Sequence, residues 1–297
     1  MQYSTLGNSD IQVSEISFGC MSLGNDGRLN ADLLHQALDL GVNYFDTADV
    51  YQQGMNETFV GQAFKGVRDK LVLSSKAGNQ VRPDGKGFDW NPSKAHILKA
   101  AEDSLKRLQT DYIDVYMLHG GTIDDPMDET MEAFELLKAQ GKIRAWGISS
   151  IRPNVIREYV RKADIACVMM QYSLLDRRPE EACLELLKNN NISVLARGAL
   201  AKGLLAGKPE QPYLGYSETE VKKVAEKIKN IASHDCHPSG VALRFALHHP
   251  AVATAVVGIR TSEQLIEAVG AANCSVSEQD MITLKSVLDP NFYAQHR

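Results

Sequence analysis

The chain has 297 residues, with 32 Lys and Arg against 37 Asp and Glu, for a formal net charge of −5. With a sequence pI near 5.9, this balance argues against a nucleic-acid surface or a polybasic membrane surface. No stretch approaches the roughly 20 apolar residues that span a bilayer, and the opening MQYSTLGNSD has no basic segment followed by an apolar run, so neither membrane nor secretory signal is read and a cytoplasmic location is expected.

Residues 2–14 read as a short hairpin turning at Gly7-Asn8. EISFG (15–19) is a candidate strand, followed by helical periodicity over 31–40 that Gly41 can end in a left-handed conformation. NYFDTA (43–48) and LVLSSKA (71–77) are the next strands; Asn91-Pro92 then reads as a cap with proline in the first turn, opening the helix AHILKAAEDSLKRL. Strand IDVYMLH (113–119) precedes a helix over 129–140, IRAWGISS (143–150) a helix over 154–162, and CVMMQY (167–172) a helix over 180–189. SVLARGA (193–199) leads to a helix over 219–233, TAVVG (254–258) to a helix over 262–271, and a terminal helix spans 277–288.

Eight strand–helix alternations, with strands apolar nearly throughout, predict a parallel sheet covered by helices. A doubly wound open sheet is the competitor, but it would usually carry a G-x-G-x-x-G turn after its first strand, and none follows Gly19. The glycines at 198 and 203 have the gap of a phosphate loop, yet Leu204-Leu205 stand where Lys and Ser or Thr should follow. The eightfold count favours an α/β (β/α)8 TIM barrel with a short N-terminal hairpin and an extra C-terminal helix, residues 1–297 forming one domain.

Function in such a barrel collects at the C-terminal ends of the strands. The second strand ends at Asp46 and runs into Tyr51; the third ends at Lys76, the fourth at His119, the fifth at Ser149-Ser150 and the sixth at Gln171. Taken singly, Asp46 reads equally as a turn residue, Tyr51 as a surface aromatic, Lys76 as a solvated charge and His119 as a satisfied histidine. Convergence on one mouth suits proton donation to a carbonyl oxygen. A phenol with a pKa of about 10 is a weak donor at neutral pH. A nearby ammonium is expected to lower that value, a carboxylate to hold the ammonium in place, and the imidazole to bind the oxygen and pass a proton.

These same segments resemble the aldo-keto reductase superfamily over nearly the whole chain. GVNYFDTADVYQQGMNETFVGQAF (41–64) is similar to the family's first signature, with its aspartate on Asp46, its tyrosine on Tyr51 and a later glycine on Gly61. SSKAG (74–78) places the lysine role on Lys76, and SLKRLQTDYIDVYMLHG (104–120) places the active-site histidine on His119. The resemblance implies an NADPH-dependent oxidoreductase acting on aldehydes or ketones, with NADP(H) favoured over NADH, a small carbonyl compound as partner, and a monomer or small homo-oligomer.

It also implies a cofactor set. Ser149 and Ser150 stand where the family usually has Ser-Asn at the nicotinamide carboxamide, with Gln171 as the amide partner. VLARGALAKGLLAGK puts Arg197 where an aromatic residue usually stacks on the nicotinamide, and Gly198, Leu200 and Lys202 follow it along the cofactor. A guanidinium can stack on a planar ring, and the extra charge is expected to weaken NADP⁺ relative to NADPH. Gly19 and Met21 fall near the nicotinamide. AVVGIRTSEQLIEAV (255–269) resembles the last signature, placing Gly258, Arg260 and Thr261 at the 2′-phosphate and Gln264 and Glu267 near the adenosine; Ala268 replaces the family's terminal asparagine. A helix N-terminus with an Arg fork suits a phosphate dianion.

Other classes are weighed against this. The resemblance extends more distantly to potassium-channel beta subunits, which implies a nucleotide-sensing binding protein of the same fold as the alternative. Aldol chemistry through a Lys76 Schiff base lacks support beside Asp46 and Tyr51. His234, Asp235, Cys236 and His237 are adjacent rather than at metal-ligand spacing, so no metal site is read there. The five cysteines, Cys20, Cys167, Cys183, Cys236 and Cys274, are odd in number and scattered, and reduced thiols are expected. Trp90, in the loop over 80–91, is a candidate wall of the substrate pocket.

Overall fold

The computed structural model describes residues 1–82 and 84–297. Eight parallel strands, β1 to β8 in chain order, form a closed barrel: Ile16–Gly19, Tyr44–Asp46, Val72–Ala77, Ile113–Leu118, Ile143–Ser149, Cys167–Gln171, Ser193–Arg197 and Val252–Gly258. Each strand pairs with the next, and β8 closes on β1 with Ala255 opposite Ile16 and Gly258 opposite Gly19. The eightfold alternation in the sequence thus becomes a (β/α)8 barrel.

The N-terminal hairpin pairs Tyr3–Thr5 with Gln12–Ser14. Its turn uses Gly7 at φ +53°, where an added Cβ would lie 2.1 Å from the Ala166 carbonyl oxygen. Both the backbone angle and the close approach therefore require glycine. Leu6, Ile11 and Val13 are buried with Tyr44, Val115, Met117, Met169 and Leu195 inside the barrel. The hairpin closes the N-terminal end, leaving the C-terminal end open for chemistry.

A second apolar layer fills the space between strands and helices. Trp146 of β5 stacks on Phe134 with centroids 4.9 Å apart and planes 9° apart, and its Nε1–H donates to Glu135. Burying a large side chain of this kind contributes about 1.5–3 kcal/mol.

Local chemistry moves several boundaries. Helix Gly27–Asp39 begins ahead of its apolar periodicity because Asp26 accepts from the Arg28 and Leu29 N–H groups. Helix Lys94–Leu108 is capped by Ser93, which accepts from His96 N–H, not by Asn91 as expected. Asn91 instead accepts from the N–H of Ser93. Helices Met55–Ala63 and Pro238–Leu247 are additional to those expected. The segment expected as a loop over 80–91 contains a hairpin, Asn79–Val81 with Phe88–Trp90; its Pro83 lies outside the described residues.

The expectation of five reduced thiols is corrected. Cys236 and Cys274 form a disulfide with Cα atoms 4.8 Å apart, while Cys20, Cys167 and Cys183 are free and buried. Helix Pro238–Leu247 begins two residues after Cys236 and packs on the turn Ala271–Asn273, which directly precedes Cys274. That packing, invisible in the cysteine spacing, brings the pair together.

Candidate active site

Adjacent strand ends assemble the polar centre of the mouth. The β2–β3 register sets Asp46 opposite Ser74, and Ser74 Oγ donates to Asp46 Oδ1 at 2.7 Å. Lys76 Nζ donates to Asp46 Oδ2 and to the Thr47 carbonyl, both at 2.7 Å. Burial alone would lower the Lys76 pKa, but Asp46, then Tyr51, outweigh it and leave the lysine above its ordinary value. The ammonium is therefore held charged in a buried site.

Tyr51 opens the short turn Tyr51–Gly54, in which Gln52 and Gln53 adopt φ 49° and 53°. Left-handed non-glycine residues cost about 1–3 kcal/mol each and persist only where neighbours enforce them. Gln52 Nε2 donates to the Leu23 and Gly24 carbonyls and to Asn25 Oδ1. Asn56 donates to the Cys20 carbonyl and accepts from Thr47 Oγ1. The strain is thus stored in the turn that carries the phenol.

The Lys76 ammonium lies 5.1 Å from the Tyr51 ring centroid, and the His119 and Tyr51 rings meet edge-on, 5.9 Å apart at 81°. All four residues expected at the mouth are brought together. Their protonation differs from expectation in two respects. Burial raises the Tyr51 pKa, and Lys76 opposes that rise without reversing it; the phenol stays protonated at neutral pH. Burial, then the charges of Lys76 and Arg197, push the His119 imidazole down to about 3. A neutral imidazole can donate one hydrogen bond to a substrate oxygen, and a value this low keeps the ring out of its imidazolium form near pH 7.

Residues that no motif marked complete the setting. Asn79 Nδ2 donates to the His119 carbonyl. Trp90 Nε1 donates to Asp125 Oδ1 at 2.8 Å, and its ring lies so close to Gly78 and Gly120 that a Cβ on either would sit 2.8 or 3.1 Å from it. Trp90 thereby forms a rigid wall beside His119. The glycines in SKAG and LHGG are what this close approach of the Trp90 ring requires.

The other strand ends form a continuous arc from β5 through β8 to β1. Ser149 ends β5; the next residue, Ser150, is buried, with its Oγ accepting from Arg152 N–H. Gln171 and Arg197 are register partners at the ends of β6 and β7, and Gly198 takes φ +70° beside the Gln171 side chain. Leu200 and Lys202 follow, with Lys202 exposed at φ 59°. Gly258 is exposed opposite Gly19, and a Cβ on it would lie 2.7 Å from Ser22 Oγ. Met21 is 66% exposed at the same edge. Thr261 caps helix Ser262–Gly270 by accepting from Gln264 N–H, while Gln264 Oε1 accepts from Arg260 N–H. The Arg260 and Glu267 side chains are exposed. These strand ends carry amide and hydroxyl groups along an arc that ends at Arg260 and the N-terminus of helix Ser262–Gly270.

A barrel of this closure with an ion-paired lysine, a phenol and an imidazole at its mouth has the make-up of an oxidoreductase. The chain belongs to the aldo/keto reductase family, whose model matches residues 15–289. It is 46% identical over the full length of both chains to the uncharacterized oxidoreductase YqkF of Bacillus subtilis. It superposes on the holo form of aldo-keto reductase AKR11C1 from Bacillus halodurans with a TM-score of 0.94 and 46% identity, covering 100% of this chain and 99% of that one. It is also 29% identical to the NADH-specific methylglyoxal reductase of Escherichia coli, over 97% of this chain and 99% of that protein. No helix among the described residues is long and apolar enough to cross a membrane.

Proposed function

We propose that the protein is an NADPH-dependent reductase of aldehydes or ketones, with Tyr51 as proton donor. The observation that carries this reading is the Asp46–Lys76 pair, held at 2.7 Å beneath a protonated Tyr51. When bound, the reduced nicotinamide supplies hydride to the carbonyl carbon. Tyr51 gives its proton to the oxygen, and the Lys76 ammonium stabilises the phenolate left behind. Neutral His119 orients the carbonyl by donating a hydrogen bond, and Trp90 walls the substrate side.

Ser149, Ser150 and Gln171 would hold the carboxamide, Gly19, Met21 and Arg197 the nicotinamide ring, and Gly198, Leu200, Lys202 and Gly258 the pyrophosphate stretch. Arg260, Thr261, Gln264 and Glu267 would hold the adenosine end. The exposed Arg260 guanidinium beside a helix N-terminus supports a 2′-phosphate, hence NADPH over NADH, although one relative is named for NADH. We also propose one barrel domain over residues 1–297, acting in the cytoplasm as a monomer or small homo-oligomer, with no nucleic-acid partner.

Steady-state rates with short-chain and aromatic aldehydes, measured with NADPH and NADH in parallel, test the reading. Turnover that favours NADPH is expected. Tight NADPH binding with negligible turnover across the panel would point instead to a nucleotide-sensing protein.

A further inference from the structure

The turn that carries Tyr51 is bracketed by buried charges that the reaction above leaves unused. Glu57, on helix Met55–Ala63, is fully buried; its Oε1 accepts from Ser75 Oγ at 2.5 Å and its Oε2 from Arg107 Nε at 2.6 Å. Arg107, on helix Lys94–Leu108, also donates to Ser104 Oγ at 3.2 Å. Its side chain lies across Gly54, the last residue of the Tyr51 turn, where φ is +89° and a Cβ would sit 2.9 Å from Arg107 Cδ. Glycine at 54 is what lets the guanidinium rest on the turn and still reach Glu57.

Asp49 stands at the other end of the turn. Its N–H donates to the Lys76 carbonyl at 3.3 Å, and its Oδ1 is buried with no hydrogen-bond partner among the described residues. The groups that act on its carboxyl come from each surrounding element: Glu57 from its helix, Arg107 from the next, and Lys76 from β3. Tyr116 from β4 faces the same two carboxyls, and its buried hydroxyl also lacks a partner among the described residues. Burial first, then Glu57, raises Asp49 to about 7, against the opposing pull of the Val50 backbone N–H and, more weakly, of Arg107 and Lys76. One guanidinium thus faces two carboxyls that approach from separate elements.

We propose that Asp49 is a pH-sensitive positioning residue for Tyr51, holding the Tyr51 turn in its reactive geometry as the neutral acid and loosening it when ionised. The inference rests on the reading of Tyr51 as proton donor. With Asp49 neutral, Glu57 and Arg107 balance each other and Arg107 stays seated on Gly54. Ionising Asp49 adds a second negative charge that acts on the same cation, next to the fully buried Glu57. The guanidinium is then drawn by two carboxylates instead of one. Because it lies against Gly54, and Asp49 and Gly54 flank Tyr51, the left-handed turn between them loses its clamp.

The test is the pH profile of kcat/KM for NADPH-dependent aldehyde reduction between pH 6 and 8.5, in wild type, Asp49→Asn and Tyr51→Phe. Wild type should fall with an inflection near 7, by about tenfold across this range. Asp49→Asn, fixed as the neutral isostere, should lose that inflection, so that its two extremes differ by about twofold or less. An inflection unchanged in Asp49→Asn overturns the inference while leaving the Tyr51 reading intact. Wild-type turnover that survives Tyr51→Phe overturns the Tyr51 reading and the inference with it. If Asp49→Asn does not fold, the wild type labelled with ¹³C-aspartate decides by NMR. One carboxyl titrating near 7 is expected, and titration of every aspartate below about 5 contradicts the proposal.

Discussion

Lys76 Nζ lies 2.7 Å from Asp46 Oδ2, with the two side chains 1% and 5% exposed. A buried pair of this kind adds little net stability, yet removing one partner strands the other charge away from water. Asp46→Asn should therefore cost about 3–5 kcal/mol in urea unfolding and abolish turnover. The double variant Asp46→Asn, Lys76→Met should recover much of the stability and none of the activity. Equal stability of Asp46→Asn and wild type would show that the ammonium finds another partner.

His119 fixes the sign of an acid-stability effect. Its folded-state pKa is about 3 against about 6.5 in an unfolded chain. The contribution is fully present above 6.5 and is lost as pH falls toward 3, because the unfolded chain takes up a proton that the buried ring refuses. His119→Gln should narrow the loss of stability between pH 7 and 4 by a few kcal/mol, each pH unit being worth about 1.4 kcal/mol. Thermal midpoints of both proteins at the two pH values measure it. Parallel losses in the two would place the imidazole in water.

Arg260 separates the two nicotinamide cofactors. A charge-assisted contact to a 2′-phosphate is worth about 1.5–3 kcal/mol, so Arg260→Ala should weaken NADPH roughly 10- to 100-fold by fluorescence titration and leave NADH nearly unchanged. Equal weakening of both would assign Arg260 a role common to the two cofactors.

The charge of Arg197 reaches both Tyr51 and His119, and it should also act on a nicotinamide ring stacked against it. Oxidation makes that ring cationic, so repulsion of about 1 kcal/mol in a solvated mouth should weaken NADP⁺ several-fold relative to NADPH. Arg197→Phe should erase the difference, as read from product inhibition by NADP⁺. An unchanged ratio would remove Arg197 from the ring.

Much of the fold was legible because the barrel strands are short apolar runs and most of the helices between them show a 3.6-residue face, so the alternation could be counted. Helices Met55–Ala63 and Pro238–Leu247, with weaker faces, were not legible. Helix boundaries slipped where a side chain outside the apolar pattern took the cap, as Asp26 and Ser93 do. The four mouth residues were legible because each sits at or just after a strand end within a dense motif. Their protonation was not. It depends on burial, which raises Tyr51 against the pull of Lys76 and lowers His119 together with the charges of Lys76 and Arg197. Trp90, Asn79 and Asp125 come together through a hairpin whose strands are three residues each, too short to leave a periodic signal. The Cys236–Cys274 pairing depends on helix packing across a separation of 38 residues, which no local pattern encodes.

The most direct measurement is the initial rate of NADPH oxidation with a reactive aldehyde in wild type and Tyr51→Phe, alongside the NADPH dissociation constant of each. Loss of the phenol proton should cut turnover by about 10²–10⁴-fold, with the dissociation constant unchanged, since Tyr51 acts on the carbonyl oxygen and not on the dinucleotide groove. Equal rates in the two proteins would contradict the account, because the proton would then reach the oxygen from another group.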